Sequence, residues 1–413
     1  MPLTKKRWLI LGASCLINLC IGSLYAWSVF ATPMAEYLSA ITGRTVTHLA
    51  IVFTVANLVG PVTMISGGFI NDRFGPRLVI FSGGILFSGG MFLSGFANSP
   101  GMLIVSYGLG VGLGMSMVYG CTISNSVKFF PDRRGLAGGL ATAFYGAGSI
   151  LVPPVANKLI NAFGVTMTFR ILGIVMLFVI SAGSFFVKPC PPGFTPGGWQ
   201  PGGGMERDTG KDWRGMLADP VFYVMLLLLC CGAFSGLMVI SQASPIAQRM
   251  VGMNAAASAV AVSALALLNT CGRIAAGIIL DKTGPARTLT GIFVVSIIGL
   301  LALFTVGRGD AVLFYTGLLC VGLAFGSIMG IFPGFTAEQF GTKNNSVNYG
   351  IMFTGFAVSG YFGPALMSGF YDQTGSYKNA FLVAMCLAAA GMALSIIYTR
   401  MVARKKRLIQ ANL

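Results

Sequence analysis

The stretch Gly68-Phe69-Ile70-Asn71-Asp72-Arg73-Phe74-Gly75-Pro76-Arg77 returns later in the chain as Gly277-Ile278-Ile279-Leu280-Asp281-Lys282-Thr283-Gly284-Pro285-Ala286-Arg287. The two aspartates stand 209 positions apart. Each copy closes an apolar run with a charged pair followed by Gly-Pro, a pair that punctuates helices. A second match has almost the same offset. Ala31-Thr32-Pro33-Met34-Ala35-Glu36 pairs with Ala243-Ser244-Pro245-Ile246-Ala247-Gln248, 212 positions on. Matching spacing at two separate places points to an internally duplicated unit.

Composition places that duplication in a membrane. Of 413 residues, 55% are hydrophobic and 9% charged, against roughly 25% charged in soluble domains. Lipid rather than water therefore covers the outside, and the 57 glycines suit helices that pack closely in lipid. Apolar runs long enough to span a bilayer are read at 8–31, 46–70, 78–97, 100–127, 135–160 and 164–187. A second set lies at 219–242, 254–280, 286–306, 310–336, 346–371 and 377–400. The expectation is an all-α membrane protein of twelve transmembrane helices in two pseudo-symmetric six-helix bundles, 1–187 and 219–413. The Pro- and Gly-rich stretch 188–218, with Gly202-Gly203-Gly204, is read as a cytoplasmic linker. The first apolar run is too long for a cleavable signal and is read as a span.

The net charge of +16 does not mark a nucleic-acid binder, because the basic residues sit in short gaps between apolar runs. With the N-terminus in the cytoplasm, 20 of the 27 Lys and Arg fall on that side and five on the other. That asymmetry predicts a multi-pass protein of the inner (plasma) membrane with both termini cytoplasmic. The tail Arg400, Arg404, Lys405, Lys406 and Arg407 follows an apolar run, which fits an anchor on an anionic leaflet. Nine cysteines show no metal-ligand spacing, so no metal site and no cofactor are expected. A membrane enzyme would need a nucleophile–base pair or a metal cluster at one depth, and one histidine with no mid-depth carboxylate supplies neither. A channel tends to repeat its filter across subunits, whereas here a six-helix unit repeats within one chain. A monomer is the working expectation.

Polar residues inside the spans carry the functional reading. Arg273 lies eight residues before Asp281 along one helix, which is roughly 12 Å from the cytoplasmic end and close to the midplane. Burying it costs about 2.5–3.5 kcal/mol on insertion scales, and such a residue is a functional candidate by default. Its planar guanidinium matches a carboxylate through two parallel hydrogen bonds. Asn269, one turn earlier, offers the alternative of a purely structural partner. Arg170 competes as a deep cation, but it stands near the outer end of its span, where its stem can snorkel. Tyr119 lies at a depth like that of Arg273, and its repeat partner 210 positions on is the apolar Met329. Tyr119 is thus a candidate for one side of a small anion, with Phe325 and Met329 against its apolar part; packing between helices is the alternative. His48 opens the second span near the outer surface, where a solvated helix-start histidine is the plainer reading.

The loop G-x-x-x-D-[RK]-x-G, present in both halves, resembles the signature of the major facilitator superfamily. That resemblance covers essentially the whole chain. It implies that Asp72-Arg73 and Asp281-Lys282 form gating latches at neighbouring helix ends. A finer resemblance rests on Ile21-Gly22-Ser23-Leu24-Tyr25-Ala26-Trp27, which is similar to an early-helix motif of the monocarboxylate transporter family. Met117-Val118-Tyr119-Gly120, Phe129–Ala137, Pro191–Trp199 and Asn348-Tyr349-Gly350 resemble its oxalate:formate antiporter branch. The chain is most similar to a bacterial lactate-type monocarboxylate transporter. The resemblance implies a substrate site drawing on Arg273, Asn269, Tyr119, Leu24, Tyr25, Phe325, Met329 and Phe356.

Two departures from the family bear on cargo and coupling. The oxalate carrier has a second cation, a lysine, at the position that here is Phe356, so one deep cation balances one carboxylate. The animal carriers place an aspartate where Asn269 stands, which removes their proton-accepting group. The expected function is secondary active transport of a small monocarboxylate such as lactate or pyruvate by alternating access, coupled to a proton. Anion exchange of the oxalate:formate kind is the alternative.

Overall fold

The computed structural model describes residues 3–46, 49–197, 199 and 210–411. His48 and the linker residues 200–209 lie outside them. Among the described residues all regular structure is helical. Eleven continuous helices among these residues are long and apolar enough to cross a bilayer. One of them, Arg134–Phe186, runs for 53 residues, about 80 Å at helical rise and far more than a single crossing requires. It is broken at Gly164, whose φ of 79° and ψ of 166° are not helical. Dividing it there makes twelve crossings.

We number these helices α1 Leu3–Thr42, α2 Ala50–Phe74, α3 Pro76–Ser94, α4 Pro100–Phe129, α5 (134–163) and α6 (165–186). The second set is α7 Pro220–Val251, α8 Ala255–Thr283, α9 Pro285–Thr305, α10 Ala311–Phe340, α11 Asn345–Thr374 and α12 Lys378–Ala411. The chain divides into two compact units, 1–210 with 337–351, and 211–336 with 352–413. The end of α10 and the start of α11 thus pack into the first unit.

The repeated loop builds the same corner twice. Gly75 and Gly284 adopt φ of 87° and 77°, a region that a side chain disfavours. Each N–H closes the preceding helix onto the carbonyl four residues back, Asn71 and Leu280 respectively. Pro76 and Pro285 then begin the next helix at its first position, where no N–H donor is missed.

Duplication extends into the packing. In the first unit, Gly108, Gly112, Ser116 and Gly120 of α4 lie along Val52, Ala56, Gly60 and Met64 of α2. In the second, Gly322, Gly326 and Gly330 of α10 lie along Leu265, Asn269 and Arg273 of α8. The α10 row is the α4 row moved by 210 positions, and the α8 row is the α2 row moved by 209. Small residues every four positions form one ridge of a helix and let the backbones approach closely. Large apolar side chains point the other way. Phe178 and Val312, at 71% and 79% exposure, show the outer surface meant for lipid.

Candidate functional site

In the second unit the site grows from the α8–α10 ridge. A Cβ at Gly326 or Gly330 would run into the backbone carbonyl of Asn269 or Arg273. The glycines therefore fix the backbone of both residues against α10. The Arg273 side chain is buried, 4% exposed, and its Nε donates to the Asn269 Oδ1 at 3.4 Å. The amide is neutral, so this hydrogen bond orients the guanidinium and adds no charge of its own. Phe325 and Met329 are buried on α10, with the Phe325 ring packed over Gly236 of α7. Phe356 is half-buried on α11 and stacks on Phe353, with ring centres 4.6 Å apart and planes 20° apart.

In the first unit, tyrosines gather around Tyr119. Tyr119, 4% exposed, sits 4.7 Å from the ring of Tyr145, and Tyr145 lies 5.5 Å from Tyr25. Tyr25 also meets Phe53 at 6.1 Å. Leu24 is fully buried, and its carbonyl accepts the Tyr107 hydroxyl at 3.2 Å. Sequence reasoning named Tyr119, Tyr25 and Leu24 but missed Tyr145 and Tyr107. Nothing in their spacing distinguishes these two from packing tyrosines.

The first copy of the charged loop is heavily engaged. Asp72, with a side chain 8% exposed, accepts the Lys128 ammonium at 2.7 Å and the backbone N–H of Val347 at 3.2 Å. Val347 lies in the first turn of α11, where N–H groups lack intrahelical partners and the helix dipole favours an anion. Lys128 also donates to the Lys343 carbonyl at 3.2 Å. Alongside, Asn71 donates to the Ser346 hydroxyl, which donates to Ser124 at 2.8 Å. Asn345 donates to the same Ser124 hydroxyl at 3.2 Å. Gly68 permits the approach, since a Cβ there would meet the backbone of Ser346 and Val347. Arg73 faces outward, its guanidinium 5.4 Å from the Phe74 ring centre. In the second copy, Asp281 and Lys282 are exposed.

Other buried or half-buried cations have structural employment. Arg170 makes two hydrogen bonds to the Gly95 carbonyl just past α3, at 2.9 and 2.7 Å, and stacks 3.8 Å from the Phe96 ring centre. Arg7 forms a two-pronged pair with Asp132 at 2.5 and 3.0 Å and lies 4.5 Å from the Phe130 ring centre. Near the linker, burial raises the Asp219 carboxyl pKa, but hydrogen bonds from Lys211, the Val221 N–H and Lys405 outweigh it and leave it below the usual range.

The profile of the Major Facilitator Superfamily matches residues 16–363. The chain belongs to this superfamily. As a member of that family it is a multi-pass membrane transporter rather than an enzyme. Among its relatives is the uncharacterized MFS-type transporter YhjX of Escherichia coli, 30% identical, with 86% of each chain covered. The oxalate:formate antiporter of Oxalobacter formigenes is 28% identical over 95% of this chain and 91% of its own. Monocarboxylate transporter 11 of Mus musculus is 27% identical over 93% and 85%. In fold, the chain matches the E. coli fucose:proton symporter FucP with a TM-score of 0.71 at 13% identity, covering 95% of this chain and 99% of that one. The match shows the superfamily architecture alone.

Proposed function

We propose that this transporter carries a small monocarboxylate, of the lactate or pyruvate type, by alternating access, with Arg273 as the ligand of the carboxylate. The observation that carries the reading is a guanidinium 4% exposed within an apolar helix, held in place by a neutral amide and a glycine ridge. Such a charge is costly to keep in a membrane unless it serves binding. Phe325, Met329 and Phe356 supply apolar surface in the same unit, which suits a short aliphatic chain. Tyr119 and Tyr25, within the first unit, are proposed as further substrate contacts through their hydroxyls and rings. The aromatic Phe356 offers no second cation, which favours one carboxylate over two. Names among the relatives, an oxalate:formate antiporter and a monocarboxylate transporter, support small organic anions as the class.

Coupling to a proton is part of the proposal. A guanidinium stays charged at physiological pH, so the proton enters with the anion and the cavity charge is neutralised by a bound monoanion. Exchange is the second reading. It is favoured by the oxalate:formate antiporter among the relatives, whose name states exchange of one small anion for another. Asp72, Arg73, Asp281 and Lys282 act in the proposal as gating residues. Both termini are assigned to the cytoplasmic face of the inner membrane on the distribution of Lys and Arg.

A panel of small carboxylates on the purified transporter tests the cargo, since a ligand of the folded state raises the unfolding temperature with concentration. Lactate and pyruvate should stabilise the unmodified protein and have no effect on Arg273→Ala. Equal stabilisation of both proteins, or normal uptake by Arg273→Ala in proteoliposomes, rejects the assignment.

A further inference from the structure

Two helices of the first unit lose regular α geometry at one level. In α1 the segment Gly22–Ala26 tightens to a narrower turn. In α4 the segment Ile104–Val111 widens to π geometry, a form found mostly as local bulges at functional sites. Tyr107, from the widened segment, donates its hydroxyl to the Leu24 carbonyl of the tightened one at 3.2 Å. That carbonyl already accepts the Trp27 N–H within the turn, so Tyr107 takes its second lone pair.

We infer that Tyr107 is a positioning residue for substrate binding, pinning the tight turn of α1 so that Tyr25 faces Tyr145 and, through it, Tyr119. The turn is held on two further sides. Gly22 presses against the Tyr145 carbonyl, where a Cβ would not fit. Ser23 is fully buried and donates to the Met176 sulfur at 3.5 Å. The Tyr107 ring is itself clamped by Trp27 at 4.6 Å and Phe169 at 5.9 Å. Its hydroxyl is thus a rigid post rather than a mobile group.

The duplication separates this role from a general requirement of the fold. The repeat partners of Tyr107 and Leu24 are Gly317 and Gly236. The helix stretches that contain them, Ala311–Phe340 and Pro220–Ile246, are continuous α-helix. At the equivalent positions the bundle therefore stands without the bond, the tight turn or a π segment; the π turn of the second unit lies elsewhere, at Ala247–Val251. These features occur together beside Tyr25, and Tyr25 and Leu24 belong to the substrate site on the reading proposed above, on which this inference rests.

Tyr107→Phe keeps the ring and removes the hydroxyl. Two measurements on that variant test the inference. Hydrogen–deuterium exchange of the purified transporter should show faster exchange in peptides covering 22–27, with α3 unchanged. Uptake of labelled lactate into proteoliposomes should show KM raised roughly three- to tenfold, about the worth of one buried hydrogen bond, with kcat little altered. Faster exchange together with raised KM supports the inference. Unchanged exchange overturns it, and so does faster exchange with an unaltered KM. If the unmodified protein carries no lactate, the cargo reading fails separately. The exchange comparison then still decides whether Tyr107 pins the turn, and KM is read with whichever carboxylate stabilises the protein.

Discussion

The Asp72 carboxylate accepts the backbone N–H of Val347 in the first turn of α11, 275 residues further along the chain. It holds the Lys128 ammonium at the same time. One carboxylate thus ties the end of α2 to α4 and to the start of α11. Oδ1 takes the Lys128 ammonium and Oδ2 the Val347 N–H, and each contact is a charge-assisted bond.

Asp72→Ala should therefore lower the stability of the transporter by about 1–3 kcal/mol, as expected for losing partly buried charge-assisted bonds. Uptake should fall with it, because the segment 343–347 loses its anchor. Asp72→Asn should lie between the two, keeping an acceptor without the charge. Unchanged melting and uptake in Asp72→Ala would remove Asp72 from any gating role.

The α8–α10 ridge makes a packing prediction. Gly326→Ala places a Cβ against the Asn269 carbonyl, where no flexible side chain can yield. Overpacking of this kind costs roughly 1–3 kcal/mol and should displace Arg273, so uptake falls sharply. Gly291→Ala, on the open face of α9 with nothing within 4 Å, should be tolerated. Melting temperatures and uptake of the two variants compare them directly; equal behaviour contradicts the ridge as the support of the site.

Charge count makes the next. Oxalate should compete poorly with labelled lactate in the unmodified transporter. Arg273→Lys keeps the charge but loses the two-pronged geometry, so its uptake should collapse while the protein still inserts. Phe356→Lys should move competition towards the dianion. Strong oxalate competition without that substitution would defeat the single-cation argument.

At the start of α7, the Asp219 carboxyl joins Lys211 at 2.5 Å and Lys405 at 3.1 Å and caps the helix. Its pKa in the folded protein is below the ordinary 3.8. A depressed folded value means that the clamp contributes its full stability above the unfolded value and loses it as pH falls through the folded one. The unmodified protein should be more stable than Asp219→Asn at pH 6–8, with the gap closing only below about pH 4. A gap that closes between pH 7 and 5 would be inconsistent with this clamp.

Coupling is tested in vesicles that hold no internal anion. An inward proton gradient should stimulate lactate uptake, and Tyr119→Phe should reduce the stimulated part if its hydroxyl relays the proton. Uptake seen only after preloading with a counter-anion would assign exchange instead.

Periodic and compositional signals act locally, so the amino-acid sequence alone determined the twelve crossings, the duplication and the Gly-Pro corners at Gly75 and Gly284. A run of about 20 apolar residues has few alternatives to a spanning helix. Gly322, Gly326 and Gly330 were not singled out in the sequence, although small residues every four positions mark a close helix contact. Their partner helix could not have been read, because spacing does not say what fills a groove. Arg273 stood out in sequence because a mid-span charge is rare and costly. Tyr107, Tyr145, Asn71 and Ser346 did not, because a tyrosine or a small polar residue is tolerated in any buried helix. Only tertiary structure decided that Asp72 reaches Val347 and that Tyr107 reaches Leu24. Those bonds join segments 275 and 83 residues apart, and such pairings depend on how the helices pack rather than on any local pattern.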